Sequence, residues 1–162
     1  MDRSRFIKLF NYKHWADSAT LHAISAIHDD AYQQKRHLML RLMNHIYVVD
    51  MIFRANLSGT PHGYSALNTP ETPSVETLEK QMHACFQWYI GYLSTMEEND
   101  FTQQIRFKFV DGVSGEMTAC DMLEHVLLHG TYHRGAIGWL ISECNATPPK
   151  DVLTVFLRDH HH

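Results

Sequence analysis

Apolar residues recur along most of this chain at alternating steps of three and four, the spacing of helices that bury one face. The first such segment runs from about Ser4 to Ile27, with Phe6, Phe10, Leu21, Ile24 and Ile27 as its apolar positions. Its middle, Tyr12 to Ser18, is more polar and the pattern weakens there. In the second segment Leu38, Leu42, His45, Val49 and Ile52 form one stripe. Asp30 is placed to cap it, with Gln33 at the reciprocal position, and Ser58-Gly59 ends it. The third segment starts near Thr72 or Ser74, with Pro73 suited to a first helical turn. It carries Val75, Leu78, Met82, Cys85, Tyr89, Leu93 and Met96, and stops around Glu98-Asn99-Asp100.

The period then changes. Ile105 to Phe109 alternate strictly between apolar and polar, and Asp111-Gly112, Gly115 and Met117 follow, which predicts a short β-hairpin. Thr118 and Asp121 open the fourth helix as a capping pair. Met122, Val126, His129, His133, Ala136 and Leu140 form its stripe, and Asn145 with Pro148-Pro149 ends it. A tail from Val152 to Leu157 is apolar enough to pack back on the rest. Four long amphipathic segments with short connections predict an all-α fold: a four-helix bundle with a hairpin before the last long helix. The 17 residues from Ser58 to Ser74, with two glycines and three prolines, connect helices within one domain spanning 1–158.

Composition narrows the function classes. The 162 residues are 44% hydrophobic, enough for one core. A net charge of −4, from 14 basic and 18 acidic side chains, gives no footprint for a nucleic-acid partner. No apolar run reaches the roughly 18 residues of a membrane span, and the N-terminus leads into an amphipathic segment instead of a signal core. Cys85, Cys120 and Cys144 are odd in number and widely spaced, which fits neither a disulfide framework nor a thiolate cluster and makes the cytoplasm the default. The chain holds 13 histidines, of which His160 to His162 have the form of an expression-tag remnant.

Histidines stand in the two cleanest stripes where leucine is expected. His45 sits in the second helix, His129 and His133 in the fourth. A buried imidazole without a partner costs about 1–3 kcal/mol, so three rings converging on one core call for a shared one. Neutral imidazole is the commonest metal ligand, and residues four apart share a helix face. Three ligands leave coordination positions open, as catalytic metals do. His125 is also four residues from His129, but it lies beside the stripe, and about 12 Å of helix axis separates it from His133. The bland alternative is a plain bundle whose histidines are hydrogen-bonded. His14, His22, His28, His37, His62 and His83 read as surface or capping residues, and Tyr12, Trp15 and Trp88 as packing.

The segments Asn44 to Asp50 and His125 to Gly135, with its intact His-Gly-Thr-x-His-Arg-Gly stretch, resemble the DinB family of metalloenzyme-like proteins. Phe10 to Asp17 is similar to that family's N-terminal motif, and the resemblance spans almost the whole chain. It implies a four-helix bundle holding a divalent metal on His45, His129 and His133. Zinc or nickel comes first among the candidates, then iron, manganese or copper. It also implies a homodimer. Ala136 stands where the family commonly has glutamine, which puts any polar contact from that position in doubt.

Relatives in the wider superfamily are thiol-dependent S-transferases and isomerases using bacillithiol or mycothiol. The implied activity is therefore a metal-dependent thiol S-transferase or a hydrolase, with a small-molecule thiol as co-substrate in the first case. The alternative is a non-catalytic metal-binding stress or interaction protein. Tyr47, Asp50 and Arg134 are the candidate assisting residues. Asp50 lies about 140° around the helix from His45 and makes a poor catalytic base. Arg134 reads first as a helix-terminal or interface salt bridge.

Overall fold

The computed structural model describes residues 3–160. His161 and His162, two of the three residues read as a tag remnant, lie outside the described residues. Helix α1 spans Arg3–Ser25 and α2 Gln33–Ser58, α2 preceded by a 3-10 turn at Asp30–Tyr32. Helix α3 spans Val75–Thr95, followed by a 3-10 turn at Glu98–Thr102. Strands β1 (Gln104–Lys108) and β2 (Ser114–Thr118) form an antiparallel hairpin that feeds α4 (Ala119–Glu143). A short α5, Leu153–His160, follows. The architecture is the predicted one, an all-α bundle with one hairpin before the last long helix.

Local chemistry explains most boundaries. Thr118 accepts from the Asp121 backbone N–H while Asp121 accepts from the Thr118 N–H, the reciprocal cap expected for α4. Ser74 caps α3 through the Thr77 N–H, which leaves Pro73 one residue ahead of the cap. The Asp30 cap is not formed. Asp29 caps the 3-10 turn instead, and α2 begins at Gln33 without a side-chain cap. Gly59 ends α2 at φ +67°, a left-handed conformation that costs glycine little. Gly115 is required for space: a Cβ there would stand 2.7 Å from the Phe107 ring.

Helix α1 packs against α3 and α4, and α2 against α4 and α3, while α1 and α2 scarcely touch. The helices therefore stand around the core in the order α1, α3, α2, α4. The buried row of α2 is Met39, Met43, Ile46, Asp50, Phe53 and Leu57. That corrects the expected stripe, since Leu38 is 47% exposed and His45 half-buried. In α4 the buried row is Leu123, Val126, Gly130, Arg134, Ile137 and Ile141, with His129 and His133 at its edge and Ala136 exposed. In α1 the row runs Phe6, Phe10, Lys13, Asp17, Leu21 and Ile24.

These rows divide the core into layers. One apolar layer holds Phe6, Phe10, Phe53, Tyr89 and Leu123, with Ile105, Phe107 and Met117 of the hairpin packed on it. The other holds Leu21, Ile24, Met39, Met43, Ile137 and Ile141. Between them lies a charged layer contributed by three helices and, through Asp151, by the segment between α4 and α5. Lys13 Nζ donates to Asp17 Oδ2 at 2.8 Å and to Asp50 Oδ2 at 2.6 Å. Arg134 Nη1 donates to Asp17 Oδ1 at 2.9 Å, and its Nε to Asp151 Oδ2 at 2.7 Å. The polar middle of α1 is thus an interior feature. The apolar tail does fold back, as α5: Phe156 packs with Tyr12 and Ala16, with Trp15 beside them.

Candidate metal centre

Two local features aim His45. The loop after α2 is fastened to it by Asn68 Nδ2, which donates to Arg41 O at 2.9 Å, and by Arg41 Nη1, which donates to Thr69 O at 2.6 Å. The buried Asn44 amide donates to the Asn68 side chain and to Thr69 Oγ1, the latter at 2.6 Å. So held, the loop presents the Leu67 carbonyl 2.6 Å from His45 Nδ1. A carbonyl oxygen only accepts, so Nδ1 carries the proton and His45 Nε2 keeps a bare lone pair.

His129 Nε2 lies 3.0 Å from that nitrogen, and His133 Nε2 lies 3.1 Å from it. All three rings are half-buried, and their ligand atoms form a group that could hold a metal ion. One lone pair satisfies one donor, and two N–H groups aimed at it from neighbouring turns compete; a cation satisfies all three nitrogens together. The residues present fit the ion that the resemblance implies. Burial, reinforced by the neighbouring His133 and His45, pushes His129 down to about 3. His133 is lowered by the same burial and by His45. Both are therefore neutral at physiological pH, the form that ligates.

The structure brings His45, His129 and His133 together and leaves His125 out. The His125 ring packs on Phe53 at 4.6 Å and on His129 at 5.4 Å. Asp50 faces the charged layer, on the side of α2 away from the histidines. Burial pushes its carboxyl up to about 6, with Lys13 offsetting only part of that. For Asp17 burial acts the same way, but Lys13 and Arg134 outweigh it and hold the carboxyl below the usual range. Tyr47 is raised to about 12 by burial, which keeps it from acting as a base near neutrality. Arg134 is 3% exposed and paired inside the bundle, so its helix-terminal or interface reading is corrected to an interior ion pair.

Sequence reasoning passed over Lys13, Asp17, Asp151 and Gly130. A Cβ on Gly130 would stand 3.0 Å from both Lys13 Cε and Arg134 Nη1, so the motif glycine makes room for the charged layer beside the histidines. The available signal was spacing: Lys13 and Asp17 continue the row of Phe6 and Phe10.

Fold and site together define a helical bundle with a three-imidazole group at the seam of α2 and α4. The DinB family profile matches residues 1–160, and the chain belongs to that family. It is 27% identical over 157 residues to a curated protein of Bacillus subtilis (strain 168) named Protein DinB, covering 89% of each chain. No solved structure matches. Among the described residues no helix is long and apolar enough to cross a membrane.

Proposed function

We propose that this protein is a metal-dependent enzyme of the thiol S-transferase or hydrolase kind, with His45, His129 and His133 holding one divalent ion. The convergence of the His129 and His133 Nε2 atoms on the His45 Nε2 lone pair, fixed by the Leu67 carbonyl, carries the reading. A divalent ion bound there lowers the pKa of a thiol or water placed beside it.

The chain's own residues supply the rest. All three rings are half-buried, so the group is not sealed from solvent. All three cysteines are buried, and burial raises the Cys85 thiol to about 12. In the S-transferase version the attacking thiol therefore comes from a small co-substrate. Asp50 is engaged by Lys13, and the interior ion pairs hold α1, α2 and α4 in the relative rotation that keeps the histidines facing. Residues 1–158 act as one domain in this reading. Leu128, Tyr132 and Trp139 form an exposed apolar strip on α4 that supports the homodimer the resemblance implies, which light scattering of the purified protein tests.

Elemental analysis of the full chain beside His129→Ala tests the centre. Loss of about one equivalent of metal in the variant is expected, and equal content in both sinks the reading. Assays with bacillithiol, mycothiol and glutathione, and with hydrolysable esters, then test the reaction. Bound metal with turnover on none of them makes this a non-catalytic metal-binding protein.

A further inference from the structure

On the opposite edge of the bundle, α1 and α3 bring two more imidazoles together. His83 Nδ1 and His14 Nε2 lie 3.3 Å apart, with ring centroids 5.1 Å apart. His14 is half-buried and stacked on Phe86, at 4.2 Å between centroids and 6° between planes, so its nitrogen has a fixed direction. His83 is exposed and closes the pair from solvent.

Without a metal the two nitrogens share one proton in a long hydrogen bond, outside the range of about 2.7–3.2 Å that is usual for N–H···O. Two nitrogens on one zinc ion, each bonded at about 2.0–2.1 Å, subtend about 105–110° when they are 3.3 Å apart, which is the tetrahedral angle.

We propose that His14 and His83 form a second metal site, a two-imidazole zinc site joining α1 to α3, with water in the remaining positions. It is independent of the three-histidine group, which joins α2 to α4. Burial and the facing His83 lower the pKa of His14, which keeps that ring neutral and ready to ligate. With two protein ligands against three, the site binds zinc more weakly than the three-histidine group and exchanges it with solution. Each site ties one of the two broadest helix pairs of the bundle.

Zinc titration of the full-length protein tests this, followed by long-range proton–nitrogen NMR of the imidazole rings. At saturating zinc the His14 Nε2 and His83 Nδ1 signals are expected to move together to coordinated values, and to do so equally in His129→Ala. His83→Gln changes an exposed residue and leaves the fold in place. It is expected to abolish the His14 shift and to weaken the second class of zinc binding at least about tenfold, since losing even a supporting partner of a ligand costs about 10–100-fold. Shifts in neither ring, or in one ring alone, overturn the proposal and leave the pair as a weak hydrogen bond. So does a His83→Gln titration that superimposes on wild type. Zinc held by the C-terminal histidines is common to both proteins and cancels in the comparison.

Discussion

Replacing Lys13 by methionine tests the charged layer most directly. The ammonium is buried and holds two carboxylates, but their losses differ. Asp17 keeps Arg134 at 2.9 Å. Asp50 loses its ion pair, and its Oδ1 already has no hydrogen-bond partner among the described residues. Removing one partner of a buried pair costs about 3–5 kcal/mol, a large share of the 5–15 kcal/mol that stabilises a typical domain. The pH dependence carries the mechanism. In the wild type Asp50 titrates at about 6 when folded, and its ordinary value is near 3.8. A raised carboxyl takes up a proton on folding, so it weakens the fold as pH rises between those two values, and the slope fades within about one pH unit above the higher one. Without Lys13 the folded value rises further, and the slope continues through neutrality. The penalty of Lys13→Met is therefore expected to grow by up to about 1 kcal/mol between pH 6 and pH 7, the wild type itself still losing a few tenths there. Urea denaturation at pH 5, 6 and 7 measures it. Lys13→Met/Asp50→Leu, which removes both charges, recovers most of the loss and flattens the slope. A single variant within 1 kcal/mol of wild type at pH 7, or a double variant no better than the single, refutes this account of the core.

Three further outcomes are expected. Gly130→Ala gains about 1 kcal/mol of helix propensity but drives a methyl to 3.0 Å from two tethered cations, at about 1–3 kcal/mol of overpacking; thermal denaturation should show a net loss of about 1 kcal/mol. Asn68→Ala releases the loop that aims the Leu67 carbonyl at His45; zinc affinity measured against a chromophoric chelator should fall about 10–100-fold, with the helix content by circular dichroism unchanged. Cys85, raised to about 12 by burial, should resist a thiol-specific chromogenic reagent at pH 8 in the native protein and react once urea unfolds it; fast native labelling of Cys85 contradicts its assigned burial.

Much of the fold was legible because its cues are local. The hairpin announces itself by the alternation from Ile105 to Phe109, and α4 by the reciprocal pair Thr118 and Asp121. The start of α2 was less so: Asp29 and Asp30 are both able to cap, and Asp29 does so on a 3-10 turn that precedes the helix. The rotation of the long helices was legible only in part. In α2 the row of Leu38, Leu42, His45, Val49 and Ile52 and the row of Met39, Met43, Ile46, Asp50 and Phe53 have the same period, and an ionisable residue interrupts each. Asp50 faces the interior because Lys13 and Arg134, distant in sequence, meet the carboxylates there. No single stripe carries that information.

The fourth helix shows why the histidines were found although their burial was misjudged. Successive residues differ by about 100° around a helix, so the pair His129/His133 and the pair Gly130/Arg134 form adjacent rows. One row turns to the seam with α2, where the half-buried imidazoles meet His45. The other turns to the interior, where Gly130 gives the Lys13 stem its room and Arg134 is neutralised by Asp17 and Asp151. A histidine wholly inside the core would bring a bound ion no solvent-facing side, and one wholly outside would meet no second helix. The His-Gly-x-x-His-Arg stretch thus couples the two layers: the charged row sets the rotation of α4, and that rotation leaves the imidazole row at the edge where His45 can reach it.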